Sequence, residues 1–244
     1  MQESTVTIIK KPKLKDPVLI EGLPGAGFVA NIAALRLMNE LKAKKFAEIH
    51  SPAFQDLTVS VKGGIPHIPI NELYYYQPRR GRGLIILYGN TQALTAYGQY
   101  EVCDRILDLA EGLDCKLVAC MGGLRKEKVS ERPRVYCAAT DNATLGDIVK
   151  FGVGIAQVQI TGAAGLLVGL AKIRKMKGFC LLVETLGVYP DTVAAETVLD
   201  VLCKVLKMKI DLSHGEASPV DTGINFDDLS FLGARRKPTY PNYV

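Results

Sequence analysis

The chain has no tryptophan, only three histidines, and no two cysteines in a C-x-x-C spacing. Zinc sites and disulfide frameworks need tighter or paired cysteine spacing, so no metal and no covalent staple is expected. The six cysteines are Cys103, Cys115, Cys120, Cys137, Cys180 and Cys203, and most lie inside apolar runs such as 117–121. They read as small buried thiols in a reducing compartment. The histidines, His50, His67 and His214, stand beside no Ser, Cys or carboxylate in a nucleophile motif such as Gly-x-Ser-x-Gly. No catalytic residue is therefore assigned.

Long apolar runs are missing too. None approaches the ~20 residues of a membrane helix, and residues 1–15 are polar and lysine-bearing, without an apolar signal core. A soluble, cytoplasmic protein is expected, with no membrane partner. Charge excess is slight: 30 Lys and Arg against 25 Asp and Glu, a net +5. Basic residues gather at 79–82, 125–128, 172–177 and 235–237, with Glu127 and Glu131 interrupting the second group. Nucleic-acid binding favours one continuous basic stripe with exposed aromatics, so these clusters read as solvated loops and helix ends.

What the chain does have is 244 residues at 48% hydrophobic content, enough for one large core. Four apolar runs, 18–20, 84–88, 117–121 and 179–183, lack polar alternation and lead into glycine. Strands buried on both faces look like this, so a largely parallel sheet is expected. Amphipathic stretches alternate with them. Phe28, Ile32 and Leu35 share one helical face, as do Val102, Ile106, Leu109 and Leu113. A last helix carries Ala194, Val198, Val201 and Val205, with Asp191 at its N-cap. The fold class is α/β: a largely parallel central sheet with helices on both faces.

Residues 56–61 alternate and predict a half-exposed strand, followed after Gly63-Gly64 by further strand or hairpin through Tyr74-Tyr75-Tyr76. Side chains of a strand alternate between faces, so the three rings cannot share one core, and at least one is expected at solvent or a partner. Residues 158–170 predict a strand end or turn followed by a closely packed, small-residue helix. From Ser213 the apolar period disappears, so the domain reading is an α/β core over 1–212 and an extended C-terminal tail over 213–244.

The stretch from Pro17 to Ala30 reads as buried strand, glycine turn and helix start, the usual phosphate-binding place in α/β proteins. Gly22 and Gly27 have the spacing of a phosphate loop, but Phe28 and Val29 replace its Lys and hydroxyl. Gly25, Gly27 and Ala30 satisfy Gly-x-Gly-x-x-Gly/Ala, and Glu48 stands at about the distance of the ribose-binding acid. However, Ile49 and His50 follow Glu48 in the same predicted strand, and Pro24 removes one donor from the turn. The turn is thus read as structural, with no cofactor. A nucleotide- or nucleoside-binding enzyme using the 22–27 turn is the alternative. Glu184, ending the fourth buried strand, is the best carboxylate candidate for a ligand, against a capping or ion-pair role.

The run Glu21-Gly22-Leu23-Pro24-Gly25-Ala26-Gly27-Phe28-Val29-Ala30 and the later Ile160-Thr161-Gly162-Ala163-Ala164-Gly165-Leu166-Leu167 resemble the two signature segments of the proteasome assembly chaperone family in its archaeal form. Met121-Gly122-Gly123 and the order of elements agree, so the resemblance covers about residues 18–209. It implies a nucleoside-phosphorylase-like sandwich, no established catalysis, a homo-oligomer and binding to proteasome α subunits. Some members have been labelled ATP-grasp enzymes, but no metal-binding carboxylate cluster stands in this sequence. The family also implies docking by a C-terminal hydrophobic–Tyr–any-residue motif, whose carboxylate sits beside a Lys between α subunits. Here Tyr243 and the carboxylate of Val244 match it as partner-binding groups, while Asn242 departs from the hydrophobic position.

Overall fold

The structure, a computed structural model, describes residues 3–60, 64–208 and 210. The predicted tail over 213–244, with His214, Tyr243 and Val244, lies outside them. In chain order the first elements are β1 (Thr5–Ile8), β2 (Val18–Gly22), α1 (Val29–Leu41) and β3 (Lys44–His50). Then come β4 (Val59–Ser60), β5 (Pro66–His67), β6 (Asn71–Tyr76), β7 (Leu84–Gly89) and α2 (Ala96–Glu111). β8 (Leu117–Arg125), β9 (Val135–Ala139), α3 (Asn142–Val149) and β10 (Gly154–Ile155) follow. The last are α4 (Gly162–Ile173), β11 (Lys177–Thr185) and α5 (Thr192–Val205).

Among the described residues nine strands form one sheet in the order β1-β3-β6-β7-β2-β8-β11-β9-β10. Its centre is the expected parallel sheet: β2 runs parallel to β7 and β8, and β8 to β11. Beyond β7 the strands β6, β3 and β1 add antiparallel, and beyond β11 stands antiparallel β9, with β10 parallel to it. The four central strands are the four non-alternating apolar runs, and they are largely buried on both faces.

The covering layers divide the core in two. Val18 and Ile20 face a cluster with α1 and α5, through Leu35, Val198 and Leu202. Leu19 and Leu23 face the other cluster, with α2 and α4, through Ile106 and Leu167. Glu21 shares the parity of Leu19 and Leu23, so the pleat aims a carboxylate into the α2–α4 side of the core. Burying each such Leu or Ile is worth about 1.5–3 kcal/mol.

Three local readings change. The strand expected over 56–61 is reduced to Val59–Ser60, which pairs with Pro66–His67, and Val61 lies outside the described residues. Residues Thr5–Ile8, read as plain polar terminus, add an edge strand to β3. The three tyrosines do split between faces, but the chain covers Tyr74 fully and Tyr75 and Tyr76 in part. Tyr74 is buried, Tyr75 meets Phe46 edge-on at 6.0 Å, and neither Tyr75 nor Tyr76 is exposed. They therefore give no support to self-association.

Candidate functional site at the glycine turn

The first glycine turn leaves the carboxyl end of β2 as one 3-10 turn over Ala26–Phe28 and enters α1 without a side-chain cap. Gly27 has φ +64°, and a Cβ there would stand 2.7 Å from Oγ1 of Thr185. Glycine is needed on both counts. The turn is held from α5: the N–H of Asp191 donates to the Gly27 carbonyl at 2.9 Å. Asp191 also accepts from the Thr185 hydroxyl at 2.7 Å and caps α5 by accepting from the Ala194 N–H at 3.0 Å, the role its sequence position predicts. Asn31 on α1 donates through Nδ2 to the carbonyls of Gly22 and Gly89, tying the ends of β2 and β7 together.

The second glycine-rich segment folds over the first. α4 begins at Gly162, with φ +76°, where a Cβ would stand 2.8 Å from Oε1 of Gln92. Gln92, in the loop after β7, joins the two segments. Its Oε1 accepts from the Ala163 N–H at 2.8 Å and its Nε2 donates to the Pro24 carbonyl at 2.6 Å. Between them lies a cavity of about 180 Å³, lined among others by Glu21, Gly25, Gly123, Thr161, Gly162 and Ala164. It opens at the carboxyl ends of β2 and β8, where ligands of α/β sheets bind. A wider groove of about 720 Å³ lies at the opposite, amino ends of the strands, beside Asp16, Asp114, Arg174 and Lys177. Its position relative to the sheet makes the smaller cavity the stronger candidate.

Glu21 dominates the electrostatics of this cavity. It is 1% exposed. Burial pushes its carboxyl up to about 8, against the opposing main-chain N–H groups of Leu23 and Met121. The Leu23 N–H donates to Oε1 at 2.8 Å, whereas Oε2 has no hydrogen-bond partner among the described residues. Burial also raises the thiols of Cys103, Cys120 and Cys180, with the nearby Glu21 adding to each shift. All six cysteines are free and buried.

The other candidates lie elsewhere. Glu48 is on β3, separated from β2 by β6 and β7. In a dinucleotide site the acid-bearing strand is the neighbour of the glycine-turn strand, so Glu48 cannot complete the fingerprint. It pairs instead with Lys45 at 2.5 Å, and Lys45 reaches the buried Glu72 at 2.9 Å. Burial works against the Lys45 charge, but these two carboxylates outweigh it and raise its pKa. Glu184 accepts from the Tyr136 hydroxyl at 2.9 Å and from the Arg134 N–H at 3.2 Å, so it anchors β9 to β11. His50 faces Glu48 at 3.8 Å, and His67 sits in the β4–β5 hairpin. Among the described residues no cluster of His, Cys, Asp or Glu could hold a metal, and no helix is long and apolar enough to cross a membrane. Sequence reasoning missed Gln92, a lone polar loop residue whose contact lies 71 positions away.

A mixed sheet covered on both faces, with two glycine-rich segments meeting at its carboxyl end, defines an α/β sandwich of a specific kind. Residues 19–216 match the PAC2 family, and the chain belongs to it. It is 32% identical over 205 residues to an uncharacterized protein of Methanocaldococcus jannaschii, across 83% of this chain and 79% of that one. Among solved structures it is similar to Pyrococcus furiosus PbaB, an archaeal proteasome activator, with 37% identity and a TM-score of 0.82 over 86% of this chain and 92% of that one. It is also similar to P. furiosus PbaA, an archaeal homolog of proteasome-assembly chaperone, with 25% identity and a TM-score of 0.71 over 86% and 88% of the two chains. These likenesses agree with the family resemblance carried by residues 21–30 and 160–167.

Proposed function

We propose that this protein is a non-catalytic, homo-oligomeric factor of the proteasome assembly chaperone type. It binds the proteasome α ring partly through Tyr243 and the carboxylate of Val244. The observation that carries this reading is the likeness to both PbaB, a proteasome activator, and PbaA, a homolog of proteasome-assembly chaperone, each over 86% of this chain. A rigid core presenting several tails multiplies a weak individual contact.

The glycine turn counts against a nucleotide-using enzyme. Phe28 and Val29 stand where a triphosphate site needs Lys and a hydroxyl. No Lys, Arg or His lines the cavity among the described residues. Glu48 is two strands away from the position an NAD-type site requires. Self-association is supported by the exposed Leu186, Val188, Tyr189 and Val193, four large apolar side chains within one short segment before and into α5. Comparing α-ring binding by the full chain with binding by a chain lacking residues 242–244 tests the proposal.

A further inference from the structure

We propose that the cavity between the first glycine turn and the start of α4 binds a small carboxylate-bearing molecule, with a ligand oxygen on Oε2 of Glu21 and on the main-chain N–H groups of α4. This goes beyond α-ring docking and does not depend on it.

Three independent observations meet there. The first is the cavity itself, whose 180 Å³ exceeds the roughly 30 Å³ share of one water several-fold. The second is the α4 N-terminus. This helix is 12 residues long, so its amino end carries a useful fraction of positive charge. Gln92 occupies the Ala163 N–H, but the N-cap Thr161 gives no side-chain hydrogen bond, and Gly162 and Ala164 both line the cavity. The third is Glu21, 1% exposed, lining the same cavity, with one carboxyl oxygen used by Leu23 and the other without a partner among the described residues. A buried polar atom without a partner costs stability, and a ligand that meets it recovers that cost.

The chemistry of the lining selects the ligand. Burial keeps Glu21 protonated near neutral pH, so its free position acts as an O–H donor and needs an acceptor. The charged or titratable neighbours of Glu21 are the thiols of Cys103 on α2, Cys120 on β8 and Cys180 on β11, which burial holds in the neutral form. Among the described residues no cationic side chain lines the site, so a doubly charged phosphate would meet only one helix end. A single carboxylate matches that partial charge and shares the Glu21 proton. Leu23, Leu124 and Leu182 provide an apolar wall for a short aliphatic body.

The test titrates the full-length protein with sodium butyrate and, separately, inorganic phosphate, following the amide resonances of Gly162 and Ala164 by NMR. Butyrate is expected to shift both saturably and more tightly than phosphate. Ala164→Leu, which fills the cavity, should weaken butyrate binding at least tenfold. Wild-type binding should weaken above about pH 8, as Glu21 ionises, by up to tenfold per pH unit. Glu21→Gln, which keeps a donor and the acceptor for Leu23, should bind without that pH dependence. The proposal is overturned by non-saturable shifts, by binding unchanged in Ala164→Leu, by phosphate binding tighter than butyrate, or by the same pH profile in Glu21→Gln as in wild type.

Discussion

Gln92 accepts a hydrogen bond from the Ala163 N–H at 2.8 Å, fixing the start of α4 onto the loop that leaves β7. Because the same side chain donates to the Pro24 carbonyl, the two glycine-rich signature segments are joined through one residue that belongs to neither. Gln92→Ala should therefore destabilise the fold by about 1–2 kcal/mol, the net worth of two partly buried hydrogen bonds. Urea denaturation measures this. A loss within 0.3 kcal/mol of zero, about the error of such a comparison, would mean that α4 packing alone sets the geometry.

Glu21 gives a pH dependence with a definite sign. Its folded pKa, about 8, lies above the ordinary 4.5. Between those values the unfolded chain releases a proton that the folded chain keeps, so the contribution of Glu21 is most favourable at low pH and declines as pH rises through the window. The decline is at most about 1.4 kcal/mol per pH unit. Subtracting the Glu21→Gln profile from the wild-type profile removes other titrating groups. The variant should gain on the wild type steadily from pH 5 to pH 8, and parallel profiles would contradict a buried, proton-holding Glu21.

At the glycine turn, calorimetry with ATP, NAD and phosphate should detect no binding tighter than about millimolar, a level worth roughly 4 kcal/mol. Gly27→Val should cost about 1–3 kcal/mol of stability, since φ +64° is strained for a β-branched residue and its Cβ meets Thr185. Micromolar nucleotide affinity would restore the enzyme reading.

The exposed segment before α5 is expected to lie in the contact between copies. Val188 and Tyr189 are 67% and 78% exposed. Replacing both with Asp should raise the dissociation constant at least about tenfold without changing the melting temperature of the separated subunit. Analytical ultracentrifugation reads the outcome, and an assembly unchanged by the double variant would place the contact elsewhere.

Much of this was legible in the sequence. β2, β7, β8 and β11 announce themselves as unbroken apolar runs because helices bury both their faces, and Asp191 marks the start of α5 through its cap. Thr5–Ile8 gave no such signal, since most of that edge strand is exposed. Nor did α3, which buries only Ile148. Residues 21–30 and 160–167 could be recognised as paired segments, yet the cavity they enclose could not. It depends on Gln92 spanning them, and the perturbed carboxyl of Glu21 depends on the α2–α4 layer covering that face of the sheet. Glu48 had the right spacing along the chain for a ribose-binding acid, but strand order decides that role, and β6 and β7 intervene.

The most direct test of the proposed function is the affinity of the full-length protein for purified archaeal proteasome α rings, measured by surface plasmon resonance beside a chain lacking residues 242–244. Binding by the full chain should be abolished by the deletion, with melting temperature and oligomer size unchanged. Asn242→Leu should strengthen it by about 1 kcal/mol by filling the apolar position of the docking motif. Absence of binding by the full chain, together with a deletion that lowers the melting temperature or splits the oligomer, would contradict the account and make the C-terminal residues a structural strap.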